Sequence, residues 1–192
     1  MAEVVGIPGY VAGTWVIDPV HSTVSFTIRH LMVSKVRGSF GALEGEIITG
    51  VDPLDSSVTA AIDVTLINTN NRQRDDHIRS ADFFEVERYP TSTFRSTGVR
   101  RDGEYFLLDG ELTIKAVTHP VTFKLEVDGF GPDAHREDPM AGARAGFSAT
   151  AELNRTDFDV TFNSPIPGGG VALSEKVQIT VEIEAALITH AH

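Results

Sequence analysis

Residues with chemistry to offer are few in this chain. Four histidines sit among polar neighbours: His21 beside Ser22, His30, His77 and His119. Imidazole changes charge near neutral pH, so each is a candidate for acid–base work or metal ligation. His21 and His30 are nine residues apart, which is no metal-ligand spacing by itself; coordination would need the fold to bring His77 and His119 beside them. Hydrogen bonding at the two ends of one strand accounts for the first pair equally well. The most polar cluster is Arg74-Asp75-Asp76-His77, followed by Arg79-Ser80. Catalysis needs a carboxylate and an imidazole converging on one substrate, whereas adjacent residues of a helix point in different directions. Capping of a helical turn and ion pairs to a neighbouring rim explain the cluster at least as well. Arg74 and His77 stand as candidates for touching the polar end of a ligand.

The motifs of common enzymes are missing from the sequence. It contains no Gly-x-Ser-x-Gly and no His-Glu-x-x-His. Gly168-Gly169-Gly170 follows Pro165-Ile166-Pro167 and precedes neither a Lys-Ser/Thr pair nor a helix, so it reads as a loop, not a phosphate cradle. Asn154-Arg155-Thr156 fits the glycosylation pattern, which matters only in a secreted eukaryotic chain. The absence of cysteine removes disulfides, thiolate metal sites and cysteine nucleophiles together. With 27 acidic against 16 basic residues the net charge is −11, so the average surface repels phosphate backbones and nucleic acid is not an expected partner. No run of about 18 apolar residues occurs, so no transmembrane helix is expected. Met1 to Gly13 has neither a basic start nor a sustained apolar run, which reads as a cytoplasmic chain without a secretory signal. No cofactor and no metal is called for.

The elements that must position these residues announce themselves by alternation with a period of two, the pattern of strands that bury one face. Between Ser22 and His30 one face carries Val24, Phe26, Ile28 and His30. From Val58 to Leu66 the buried face reads Val58, Ala60, Ile62, Val64 and Leu66. Phe106, Leu108, Leu112 and Ile114 form another, as do Val121, Phe123, Leu125 and Val127. Ala145, Phe147, Ala149, Ala151 and Leu153 follow, then Val177, Ile179, Val181, Ile183, Ala185 and Leu187. Weaker patterns run from Val36 to Thr49 and from Thr91 to Val99. Asp52-Pro53, Asp102-Gly103 and the triple glycine supply turns, and Gly131 to Gly142 reads as an exposed loop. Only Asn71 to Glu87 breaks the pattern, reading as one or two helical turns with Asp75 and Asp76 near the start, where acids suit the helix dipole. Phe83-Phe84 there is either a gate over an opening or a pin into the core. Trp15 is expected to pack at the base.

The expected fold is therefore all-β: a single eight-stranded antiparallel barrel over the whole chain, 1–192, with its core at about 13–188 and a short helical segment near 72–87. About eight strands is the number at which a closed barrel is either filled by side chains or left open for one small ligand. The largely small face Ala145, Ala149 and Ala151, with Ala60 nearby, leans toward an open interior, and the sequence leaves the choice undecided.

Four blocks in order, WVIDPVHSTVSFTIRHLMVSKVRGSF, RDDHIRSADFFEVERYPTSTF, LTIKAVTHPV and NRTDF, resemble the signature blocks of the YceI-like family, and the match spans about Gly13 to Leu187. The resemblance implies a lipocalin-like barrel that takes a polyprenyl or isoprenoid-quinone chain into its pore, and it implies a homodimer. Two departures stand out: Ala116 and Asp159 occupy positions where the family more often has glycine.

Three functions follow as expectations. The first is a non-enzymatic carrier, its partner an isoprenoid lipid bound by Phe26, Ile28, His30, Ala60, Ile62, Arg74, His77, Phe84, Phe147 and Ala149. The second is an enzyme on a small hydrophobic substrate using His21, His30 and His77; the third is a packed module that binds another protein.

Overall fold

Valine, isoleucine, threonine and phenylalanine at alternate positions favour pleated strands with one apolar face, and a chain with many such strands buries those faces by curling its sheet shut. The computed structural model describes residues 6–132, 137 and 143–188. Its elements are β1 Gly13–Ile17, β2 Thr23–His30, β3 Ser34–Thr49, β4 Ser57–Asn68, α1 Arg72–Arg79, β5 Thr91–Asp102, β6 Tyr105–Ile114, β7 Val117–Gly131, β8 Arg144–Asn154 and β9 Leu173–Leu187. One-turn helices at Pro53–Asp55 and Arg155–Phe158 join β3 to β4 and begin the passage from β8 to β9. The expected loop from Gly131 to Gly142 and the tail His190-Ala191-His192 lie largely outside the described residues.

Every pairing is antiparallel, and the sheet closes through β3 on β4. Nine strands make eight staves. β1 lies between β3 and β9 (Trp15 opposite Ile47 and Leu187), and β2 lies between the same two strands further along (Val24 opposite Phe40 and Val181). The first stave is thus two strands in line, interrupted at 18–22. Because neighbours alternate in direction, β2, β4, β6 and β8 all end at one rim, which places His30, α1, the Lys115-Ala116 turn and Arg155 together. The opposite end is plugged by Trp15, fully buried, whose indole N–H donates to Thr49 Oγ1 at 2.9 Å and whose ring meets Phe130 edge-on at 5.4 Å.

Inward faces match the alternation with one correction. Val64 is buried, but Leu66 is 52% exposed and Ile67 only 1%. The phase slips at Asp63 to Thr65, where the Asp63 carboxylate accepts from both the Thr65 N–H and hydroxyl and the Val64 N–H turns to Pro90 O. A side chain that captures a backbone donor two residues on breaks the ladder and moves the next apolar residue to the other face. At Gly38 and Gly110 the missing side chain is what lets the rings of Phe26 and Phe94 lie against the wall; a Cβ at either position would meet those rings at 2.5 and 2.3 Å.

The segment near 72–87 holds one helix of two turns, within the one or two turns expected. α1 ends at Arg79, and turns carry the chain through Phe83 and Phe84 to β5. The two glycine departures resolve differently. Asp159 takes a left-handed φ of 60° as the cap of the Arg155–Phe158 turn, whereas in the Lys115-Ala116 hairpin the positive φ (57°) falls on Lys115. Outside, the staves are polar: the Ser148 hydroxyl donates to Glu182 and Gln178 to Glu152. Such an exterior is the reverse of a barrel whose strands face lipid. No helix among the described residues is long and apolar enough to cross a membrane.

Candidate functional site

The barrel is not solid. A cavity of about 480 Å³ runs from Tyr10, Pro53 and Ser56 at the Trp15 end to His30, Arg74, His77 and Arg155 at the α1 rim. That volume is in the range of small-molecule sites. Between those ends the wall is almost entirely valine, isoleucine, leucine, phenylalanine and alanine, supplied by the alternate residues of the strands. Small inward residues, Ala149 on β8 and Ala60 on β4, leave room in the interior that larger side chains would fill.

All ten residues expected at the ligand border this cavity. Phe26, Ile28 and His30 come from β2, Ala60 and Ile62 from β4, Phe147 and Ala149 from β8, and Arg74, His77 and Phe84 from α1 and the turns after it. Phe83, 9% exposed, is pinned against Phe162 at 5.2 Å with the rings tilted, Phe84 meets Phe40 at 5.8 Å, and both border the cavity.

The polar groups of the rim are mostly engaged with the protein. Arg74 donates from Nε to Thr69 Oγ1 and from Nη2 to Thr69 O, both at 2.7 Å. Asp75, in the first turn as expected, is buried and accepts from the Thr69 N–H and hydroxyl. Arg79 spans Thr65 O and Ile67 O at 2.7 and 2.9 Å. These bonds fasten α1 to the end of β4. The His77 ring sits edge-on to Phe83 and Phe162, with Nε2 2.8 Å from Asp82.

The histidines do not converge. His30 and His77 border the cavity and His21 does not: exposed in the gap between β1 and β2, it bonds Asp18 at 2.9 Å. That hydrogen bond, with the Val20 N–H and Arg144, holds the Asp18 carboxyl at about 2, and Asp18 and Glu184 raise His21. Asp18, His21 and Glu184 offer three ligand atoms within 4.8 Å, but Arg144 already stands 3.0 Å from Asp18 and 3.4 Å from Glu184, supplying the positive charge a metal would bring. His119 lies away from these, 3.8 Å from Asp157.

Arg155 is the functional candidate that sequence reasoning passed over. It borders the cavity, is 7% exposed, and lies in the turn capped by Asn154, whose side chain accepts from Thr156. Its signal was the block NRTDF, where the eye goes to the Asn-x-Thr pattern instead.

Comparison with known proteins adds four findings. Residues 15–185 match the model of the YceI-like domain. Protein YceI of Escherichia coli O157:H7 is 38% identical over 141 residues, 73% of this chain and 71% of that protein. Among solved structures, BcnA of Burkholderia cenocepacia superposes with a TM-score of 0.71 at 22% identity, covering 88% of this chain and 98% of that one. A polyisoprenoid binding domain from Saccharophagus degradans, implicated in plant cell wall breakdown, superposes at 0.65 with 16% identity, covering 92% and 99%. The likeness of these two structures is one of fold.

Proposed function

Because this chain belongs to the YceI-like family, we propose that it binds a long apolar isoprenoid lipid, of polyprenyl or isoprenoid-quinone type, inside the barrel, for transport, storage or sequestration. The observation that carries this reading is the continuous apolar cavity of about 480 Å³. A hydrocarbon chain gains about 0.8 kcal/mol for each methylene taken out of water, so such a wall binds it without specific polar contacts. The Saccharophagus domain of the same fold is described as polyisoprenoid-binding, which agrees.

On this reading the protein is a carrier and not a catalyst. Support comes from the rim: Arg74 is held by Thr69, His77 by Asp82, and His21 lies off the cavity. Self-association of two barrels belongs to the same proposal and is read by sedimentation. The test of the carrier is native mass spectrometry of the purified protein, then organic extraction and identification of what is bound. A stoichiometric polyprenyl or quinone species is expected. A clean unliganded mass that takes up no added isoprenoid rejects the reading.

A further inference from the structure

The hairpin that joins β2 to β3 is built against its own local preferences. The Val33 N–H closes the turn on His30 O at 3.2 Å, and both residues inside it are left-handed, Leu31 at φ 52° and Met32 at φ 62°. A turn with two positive φ angles favours Asn-Gly, and bulky side chains there are strained. Here they are leucine and methionine, and with Val33 they stand in water, 42%, 62% and 83% exposed. The stem beneath the tip is strained in another way. Arg29 lies directly opposite Lys35, and Arg37 follows on the same face. Like charges set opposite one another across a strand pair repel. All three are exposed and point outward, since the alternate residues Ile28, His30 and Val36 border the cavity. None of the three is in an ion pair among the described residues. Between Asp18 and Glu44 the chain has no aspartate or glutamate at all, although its net charge is −11.

The hairpin stands beside the mouth of the barrel. The Leu31 N–H donates to Ala172 O at 2.8 Å, and His30 and Ala172 both border the cavity. Val171, 41% exposed, adds to the apolar tip. Acids elsewhere on this rim are taken up: Asp76 by Arg79, Asp82 by His77 and Asp157 by His119. Glu175 and Lys176, one charge of each sign, lie where β9 bulges between the partners of Ile28 and His30. A few apolar side chains over a basic stem are too little surface for a stable protein interface, which buries about 1,000 Å² or more. A two-fold contact between copies through this patch would set the basic stem against itself. The same arrangement suits a bilayer surface, where apolar side chains enter the boundary between headgroups and acyl chains while lysine and arginine meet anionic lipid.

We propose that the β2–β3 hairpin docks the barrel on an anionic lipid bilayer, with Leu31, Met32 and Val33 entering the interface and Arg29, Lys35 and Arg37 meeting the headgroups. Docking sets the mouth of the cavity against the phase that holds an apolar cargo; that purpose, though not the docking, rests on the carrier reading. The acidic remainder of the surface is repelled by the same bilayer, so contact is confined to one end of the barrel.

The test is flotation of the full chain with vesicles of phosphatidylcholine alone and of phosphatidylcholine with phosphatidylglycerol, at low and high salt. Binding to the anionic vesicles is expected to exceed binding to the neutral ones at least about tenfold, and to weaken as salt screens the charge. Two variants are chosen to suit the hairpin. Leu31→Asn with Met32→Gly installs the residues the turn favours and removes the apolar tip; Lys35→Glu converts the repelling pair with Arg29 into an attractive one. None of these positions borders the cavity, so uptake of a detergent-dispersed isoprenoid should match the parent's. Both variants should melt no lower than the parent and lose at least about fivefold in binding to anionic vesicles. No vesicle binding by a protein that takes up isoprenoid overturns the docking and leaves the carrier intact; docking by a protein that takes up none upholds the docking and rejects the carrier. Equal binding to neutral and anionic vesicles overturns the charge complementarity on which the proposal stands. Vesicle binding undiminished in both variants overturns the hairpin as the surface. Self-association in sedimentation that both variants abolish makes the patch a contact between copies and overturns the bilayer as its occupant.

Discussion

Thr49 illustrates how single residues hold the closed end. Its hydroxyl accepts from the Trp15 indole and donates to Val11 O at 2.7 Å, so one side chain ties β1, β3 and the chain before β1. Thr49→Val keeps the shape and removes both bonds, leaving a buried indole N–H unpaired. Urea denaturation should show a loss of about 1–3 kcal/mol. The Asp18–His21 pair makes a prediction with two signs. Asp18, depressed from 3.8 to about 2, contributes stability that is present above its unfolded value and lost as pH falls toward 2. His21, raised from 6.5, contributes stability that is present below that value and lost as pH rises through its folded value. The pair therefore acts between about pH 4 and 6.5. The thermal midpoint of Asp18→Asn should differ most from the parent in that window, and less in high salt because the site is exposed. At this scale the sequence was a partial guide. His30 and His77 could be placed at a polar end from their strand and cluster. Asp75 could not be placed inside, because its burial depends on the Thr69 hydroxyl, and nothing local marks Thr69 as the partner.

Elements were the most legible level. Period-two faces reported nearly every inward residue, because one buried face per strand is what alternation records. What they could not report was the slip in β4. Leu66 continues the pattern on paper, yet the Asp63–Thr65 bond turns it outward. Leu66→Ser should therefore be nearly neutral, within about 0.5 kcal/mol, while Ile67→Ala should cost about 2–5 kcal/mol; guanidinium melts of the two variants separate them. The count of strands also hid a detail, since β1 and β2 share one stave. The one or two turns expected in RQRDDHIRSADFFEVE are the two turns of α1, whose end is set by Ser80 capping back to His77 O. β8 gives the element-scale test of the tunnel. Ala149→Trp puts an indole where the wall is small, and lipid uptake should fall at least about tenfold while far-ultraviolet dichroism stays that of the parent.

At the scale of the whole molecule, barrel closure was the inference most worth drawing from sequence, because eight half-buried strands have no better way to lose their edges. Whether the closed barrel was hollow was not legible. That depends on which small residues face one another across the axis, a relation set by stagger between strands, and no single strand carries it. The polar rim is equally a global property: His30, Arg74, His77 and Arg155 come from distant stretches of chain and meet only because alternate strands end at the same rim.

One consequence of the topology concerns the order in which the chain is made. β9 pairs with β8 on one side and with β1 and β2 on the other. On a ribosome delivering about 5–20 residues per second, β2 waits roughly 7–30 s for β9 to emerge. Throughout that interval the nascent sheet has two open edges and an apolar trough facing water in place of a tunnel. A chain cut before Leu173 should never close: it should aggregate or bind a holdase in a pull-down from a translation extract, where the full chain is released folded. The last strand made is thus the one that turns a sticky surface into an interior.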